Sequence, residues 1–185
     1  MGSNSVSHRI FDPVSSGWKY CVFYYLAVEK MIEFIQKDLT TIERGVVVHG
    51  VNCQGRMGSG VALAIRNKWP EVYERYRSVD VSIPTANKQK LLGSFHLIKV
   101  AEELYVGNLY TQVYYGNDGK QYANCGAIRQ CLMGTAAYAS VYQLPVYLPR
   151  IGCGLGGLKW DLDVGPILHD IAHTYNKINF FVCDI

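Results

Sequence analysis

The chain has 185 residues, 49% of them hydrophobic and 18% charged, with a formal net charge of +3. That is enough for one globular domain with a real core, and no apolar run is long enough to span a bilayer. The mild charge is scattered, which argues against a duplex nucleic-acid binder working by charge alone.

The six cysteines (21, 53, 125, 131, 153, 183) form neither a C-x-x-C pair nor a regular framework. Reduced thiols in a cytoplasmic protein, with no metal or other cofactor, are the expectation.

Residues 1–30 differ in character from the remainder of the chain. Met31 reads as the natural start, with 1–30 a leader or optional extension. The competing reading is an arm packed on the domain through Tyr20, Val22, Phe23, Tyr24 and Tyr25. The tyrosine-rich stretch lacks a small-residue cleavage pattern, so it is not a signal peptide.

From Met31 the elements alternate. A strand over 32–36 leads to a polar turn at Asp38-Leu39-Thr40. Gly45 to Val51 is a β-branched run of the kind found in strands covered on both faces. Val61 to Trp69 has helical spacing, and Pro70 opens a second helix through Tyr76. Leu92–Val100 and Leu104–Gln112 read as a strand pair turned at Glu102-Glu103.

A tyrosine-bearing loop over 114–124 comes next, then an alanine-rich helix from Cys125 to Tyr142 and a short strand from Val146 to Pro149. Asp161 to Tyr175 reads as helix despite Gly165-Pro166, and Ile178 to Cys183 as a closing strand. This alternation predicts an α/β protein, with a mixed or mostly parallel sheet between layers of helices.

Two glycine-rich stretches interrupt the pattern at strand-to-helix junctions. The first is Gly55-Arg56-Met57-Gly58-Ser59-Gly60-Val61. The second is Ile151-Gly152-Cys153-Gly154-Leu155-Gly156-Gly157, followed by Leu158-Lys159-Trp160. Backbone N–H groups in such turns close around anions, because no Cβ blocks the approach. Two of them in one small domain point to a ligand carrying a diphosphate.

Residues 31–185 resemble a macro domain. The resemblance is carried by Lys37-Asp38-Leu39-Thr40, by His49 through Ala62 and by Ile151 through Trp160, in that order. It implies a three-layer α/β/α sandwich that binds ADP-ribose or ADP-ribose 1″-phosphate, with ADP-ribosylated macromolecules as a further class of partner. The loops look most like the branch holding ADP-ribose-1″-phosphate phosphatases, terminal ADP-ribose glycohydrolases and antitoxins that remove ADP-ribose from DNA.

Two departures bear on activity. Glycohydrolases of that branch carry a lysine just after the strand that here ends at Gln112, where this chain offers Thr111 or Gln112. The terminal glycohydrolase has an aspartate where this chain has Gly156, although the antitoxins share the Gly-Gly form. Schiff-base attack on the ribose therefore lacks its nucleophile, which leaves the phosphatase as the expected activity. The alternatives are a lysine-independent glycohydrolase and a non-catalytic reader.

Each candidate residue also has a plainer role. Asp38, with Leu39 beside it, would hold the adenine by resemblance, or simply cap a turn. Asn52 has donors and an acceptor for ribose hydroxyls, or it holds its own loop. Gly58, Ser59, Gly60 and Val61 form one half of the phosphate clamp. Ile151, Gly152, Cys153, Gly154, Leu155 and Gly156 form the other, with Cys153 a small packing residue rather than a nucleophile. Gln112 joins the binding set, and Tyr110, Tyr114 and Tyr115 are candidates to stack on a ring or cover the cleft, their plainer role being that of ordinary loop tyrosines.

His49 and Asp161 are the candidates for proton transfer. Their plainer roles are a hydrogen-bonded core histidine and a helix-capping carboxylate. Asp161-Leu162-Asp163-Val164 imitates an aspartyl phosphatase signature, but that motif must end a hydrophobic strand. No cysteine has an arginine six positions on, as a cysteine phosphatase requires.

Overall fold

The computed structural model describes residues 31–184. The expectations for residues 1–30 lie outside these described residues. Among the described residues six strands form one sheet: β1 (Ile32–Gln36), β2 (Gly45–Asn52), β3 (Phe95–Ala101), β4 (Leu104–Gln112), β5 (Val146–Leu148) and β6 (Phe180–Asp184). Their order is β1-β6-β5-β2-β4-β3, parallel throughout except for β3 against β4.

Among the described residues four α-helices flank the sheet: α1 (Gly60–Lys68), α2 (Pro70–Ser82), α3 (Cys125–Tyr142) and α4 (Gly165–Thr174). Val47 of β2 packs with Ile65 of α1 and Val72 of α2, whereas Val46 and Val48 pack with Ile128 and Leu132 of α3 and Leu168 of α4. The result is the expected three-layer α/β/α sandwich. The three consecutive valines are each fully buried, at about 1.5–3 kcal/mol of stabilisation apiece.

Local chemistry sets the element ends. Trp69 precedes Pro70 and is forced out of helical backbone (φ −129°, ψ 81°), which separates α1 from α2. Asn124 caps α3, its side-chain oxygen accepting from the Ala127 N–H at 2.8 Å. Helix α3 sits close on β3, since a Cβ at Gly134 would fall 2.2 Å from the Phe95 ring.

Several expected boundaries change, including the closing strand, which begins at Phe180 rather than Ile178. Helix α2 runs six residues beyond Tyr76, to Ser82, because its buried face continues through Asp80. Residues Thr85–Leu91 form a 3₁₀ turn, so β3 starts at Phe95 rather than Leu92. The helix expected from Asp161 opens as a π turn over Trp160–Val164, and regular α4 begins only at Gly165.

The topology places the site. The chain leaves β2 through α1 and α2 toward β3 and β4, and leaves β5 through α4 toward β6. Neighbouring parallel strands whose connections depart in opposite directions open a crevice at their carboxyl ends. The first glycine loop follows β2 and the second follows β5, so both lie at that crevice.

Candidate functional site

A cleft of about 860 Å³ opens there, within the range of small-molecule and cofactor sites. Arg56, Gly58, Ser59, Gly60 and Val61 line it from the first loop, and Ile151, Gly152, Gly154, Leu155 and Gly156 from the second. His49, Gly50 and Asn52 of β2, Thr111 and Gln112 of β4, Arg150, and the segment Tyr115-Gly116-Asn117 also line it.

The first loop leads into the N-terminus of α1. Ser59 occupies the capping position, yet its side chain makes no capping bond. The first-turn N–H groups of α1 thus keep the donor capacity that a helix start offers an anion. Gly60 turns the chain at φ +53°, a left-handed backbone that favours glycine.

The glycines differ in why they must be glycine. A Cβ at Gly58, Gly60 or Gly154 would meet no atom within 4 Å, so protein packing does not demand the missing side chains. All three border the cleft. At Gly156 a Cβ would stand 2.5 Å from the Gly152 carbonyl oxygen and 2.9 Å from the Ala123 Cβ. Packing closes that position.

Asn52 spends its side chain on the loop. Its Oδ1 accepts from the Gln54 N–H at 2.9 Å, and its Nδ2 donates to the Arg56 carbonyl at 2.7 Å. It borders the cleft, but the loop-holding role is the one its bonds display.

His49 is buried to 1% exposure and its Nε2 lies 2.9 Å from Asn108 Oδ1. Asn108 Nδ2 donates to the Val72 carbonyl, which leaves Oδ1 as the acceptor and assigns the imidazole proton to Nε2. His49 Nδ1 is buried without a partner. Desolvation pulls the His49 pKa down to about 4 against the opposing Asn108 bond, so the ring is neutral at physiological pH.

Four expected residues do not line the cleft: Asp38, Leu39, Cys153 and Asp161. Asp38 Oδ1 accepts from the Thr40 N–H and hydroxyl, both at 2.8 Å, as a capping residue does. Leu39 is buried in the core beside α1. Burial raises the Cys153 pKa, which keeps the thiol protonated. Asp161 is exposed on the π turn.

Of the tyrosines that the sequence offers as cover for the cleft, Tyr115 lines it and Tyr110 and Tyr114 do not; the rest of this third wall is not foreseen. Tyr122 and Ala123 N–H groups both donate to the Gly156 carbonyl, strapping residues 114–123 onto the second loop. Tyr115 and Asn117 thereby reach the cleft. In the sequence Thr111 stands only as the occupant of a missing lysine's position. In register Val51 opposes Tyr110 and Asn52 opposes Gln112, so Thr111 is the extra residue of a bulge. Bulges of this kind re-aim side chains beside sites.

Arg150 is likewise absent from the sequence-derived set. It borders the cleft, is held bidentately by Asp184 at 2.7 and 2.9 Å, and lies over the Phe34 and Trp160 rings at 5.2 and 5.6 Å. The signal that could have found it is its position just before the second glycine loop, where a cation meets an anionic ligand.

This sheet order, with two glycine loops at one carboxyl edge, defines a class of α/β proteins that hold a ligand over a topological switch point. The chain has the macro domain fold and resembles that family in sequence. No family profile matches it.

Among solved structures, one of a Bacteroides thetaiotaomicron protein is 33% identical, with a TM-score of 0.72 over 83% of this chain and 99% of that one. A macrodomain protein from Streptomyces coelicolor is 26% identical, with a TM-score of 0.69 over 83% and 99%. The DNA ADP-ribosyl glycohydrolase of Mycobacterium tuberculosis is 27% identical over 139 residues, which is 71% of this chain but 36% of that protein. This chain thus spans about a third of that relative's length.

Proposed function

We propose that this chain binds ADP-ribose and hydrolyses the terminal phosphate of ADP-ribose 1″-phosphate to give ADP-ribose. One observation carries the proposal. Gly58 and Gly154, on facing loops, leave open space where side chains would stand, and both border the cleft. The diphosphate lies between them, against the first-turn N–H groups of α1 and flanked by Arg56 and Arg150.

In this reading water attacks the terminal phosphorus and the bond from phosphorus to the 1″ oxygen breaks. The departing oxygen takes a proton originating from the water, and inorganic phosphate is released. Backbone donors stabilise the charge on the phosphoryl oxygens, a contribution that positioned groups supply without reorganisation. His49 acts as a positioning residue, because it is buried, neutral and held by Asn108. Asp161 takes no part, since it lies outside the cleft lining.

The second reading is an ADP-ribosyl glycohydrolase, favoured by the activity for which the Mycobacterium tuberculosis relative is named. Against it, no lysine lines the cleft among the described residues, and Gly156 has no room for a carboxylate. Phosphate release from ADP-ribose 1″-phosphate, run beside a calorimetric titration with ADP-ribose, tests the proposal. Binding with no turnover on either kind of substrate leaves a reader module. Failure to bind ADP-ribose ends both enzymatic readings.

A further inference from the structure

The first glycine loop is held from behind by α2, which lies outside the cleft lining. Tyr76 is fully buried, with its hydroxyl oxygen 2.7 Å from the Asn52 carbonyl and 2.9 Å from Asn52 Oδ1. The Arg56 N–H donates to that same oxygen at 3.0 Å and, at 3.3 Å, to Asn52 Oδ1. One hydroxyl therefore joins the end of β2 to the middle of the loop. Its ring is fixed by Tyr73 and Tyr110, at centroid distances of 6.4 and 5.7 Å.

One turn further along α2, buried Asp80 accepts from Lys88 at 2.5 Å and from Arg77 at 3.0 Å, and Arg77 also donates to the Gly55 carbonyl at 3.4 Å. A Cβ at Gly55 would fall 2.5 Å from Asp80 Oδ2, so loop and helix fit against each other without slack.

We propose that Tyr76, together with Asn52, is a positioning residue of the anion cradle, fixing the first glycine loop so that its N–H groups stand ready before ligand arrives. The ligand in this proposal rests on the ADP-ribose reading above, whereas the loop geometry does not. Fixing the loop in advance removes its ordering cost from binding. The effect is confined to ligands that use the loop: a diphosphate depends on it, and a bare nucleoside does not.

The test uses Tyr76→Phe, which removes one oxygen and keeps the ring. In the protein without ligand, amides of residues 53–60 are expected to exchange with deuterium at least about tenfold faster, while those of 151–157 stay unchanged. ADP-ribose affinity is expected to fall about tenfold, with adenosine affinity held within about twofold. Equal losses for both ligands, or faster exchange throughout, mean a merely structural tyrosine and overturn the proposal. So does unchanged exchange over 53–60.

Should Tyr76→Phe fail to fold, the wild-type protein still decides. The Arg56 amide, held by the tyrosine oxygen and at longer range by Asn52 Oδ1, is expected to exchange more slowly than that of Ser59, and equal rates overturn the proposal. If wild type binds no ADP-ribose, the ligand reading falls and the exchange data alone judge Tyr76.

Discussion

Gly58 and Gly154 stand on different loops of one cleft, and a side chain at either would project into open space. Their backbones need no positive φ, since neither is among the positive-φ glycines. Folding alone would tolerate alanine or larger at both positions. Gly58→Val and Gly154→Val are therefore expected to leave the melting temperature within about 2 °C of wild type. Each is expected to weaken ADP-ribose binding at least about tenfold by occupying ligand space. Calorimetric titration and a thermal melt on the same preparations check both halves.

Gly156 is the converse case. A side chain there would run into the Gly152 carbonyl oxygen at 2.5 Å, and backbone cannot yield as a flexible side-chain tip does. Gly156→Ala is expected to cost about 1–3 kcal/mol, typical of overpacking. Gly156→Asp is expected to cost more and to confer no glycohydrolase activity. Chemical denaturation measures the first, and release of ADP-ribose from a modified substrate measures the second.

The pH dependence follows from His49. Its folded pKa, about 4, lies below the ordinary value of 6.5. Between those two values the unfolded chain binds more protons, so stability rises with pH across the window. It is fully present above about pH 6.5 and is lost as pH falls toward 4, by up to about 3 kcal/mol. His96 is depressed in the same direction, chiefly by desolvation, and adds the same sign. His49→Gln is expected to flatten the acid limb of a stability–pH curve measured by urea unfolding, leaving the smaller His96 slope.

The alternation of strands and helices and the two glycine stretches are legible in the residues, because buried valine runs and glycine turns have strong local causes. Helix α3 keeps its expected ends, Cys125 and Tyr142, since Asn124 caps it and Gln143 stops it in left-handed backbone at φ 51°. The cleft's third wall is legible only in the tyrosines of the 114–124 loop, not in how they are held. Tyr115 and Asn117 reach it only because Gly156 accepts two hydrogen bonds from residues 122 and 123, a contact between segments distant in sequence. The bulge that makes Thr111 the extra residue depends on strand register, which no local pattern encodes. Asp38 and Asp161 do not line the cleft; their turns have local sequence signals, but which residues line the cleft is set by tertiary packing.

Arg150 links the cleft to the last strand. The Asp184 hydrogen bond raises the guanidinium pKa and lowers that of the carboxyl, but the pair lies near the surface, where such pairs contribute little to stability. Arg150→Ala is expected to change the melting temperature by less than about 3 °C while weakening ADP-ribose binding about tenfold. Asp184→Asn frees the arginine without deleting it, and is expected to give a smaller loss, about threefold. Titrations at two salt concentrations check the charge origin, since the Arg150 contribution should shrink as salt screens it.

The chemistry itself is open to trapping. A glycohydrolase that works through lysine forms a carbon–nitrogen double bond between its amine and the ribose C1″, and borohydride reduces that bond to a permanent link. Among the described residues the cleft wall offers arginine, histidine, asparagine, glutamine, serine, threonine and tyrosine, and no lysine. Incubation with an ADP-ribosylated substrate followed by borohydride is therefore expected to leave the protein's mass unchanged. A mass increase of one ADP-ribose unit, mapped to any lysine, would refute the phosphatase reading's account of the site and move the assignment to the glycohydrolase. The same preparation, given ADP-ribose 1″-phosphate in ¹⁸O water, is expected to place the label in the released phosphate, as attack at phosphorus requires.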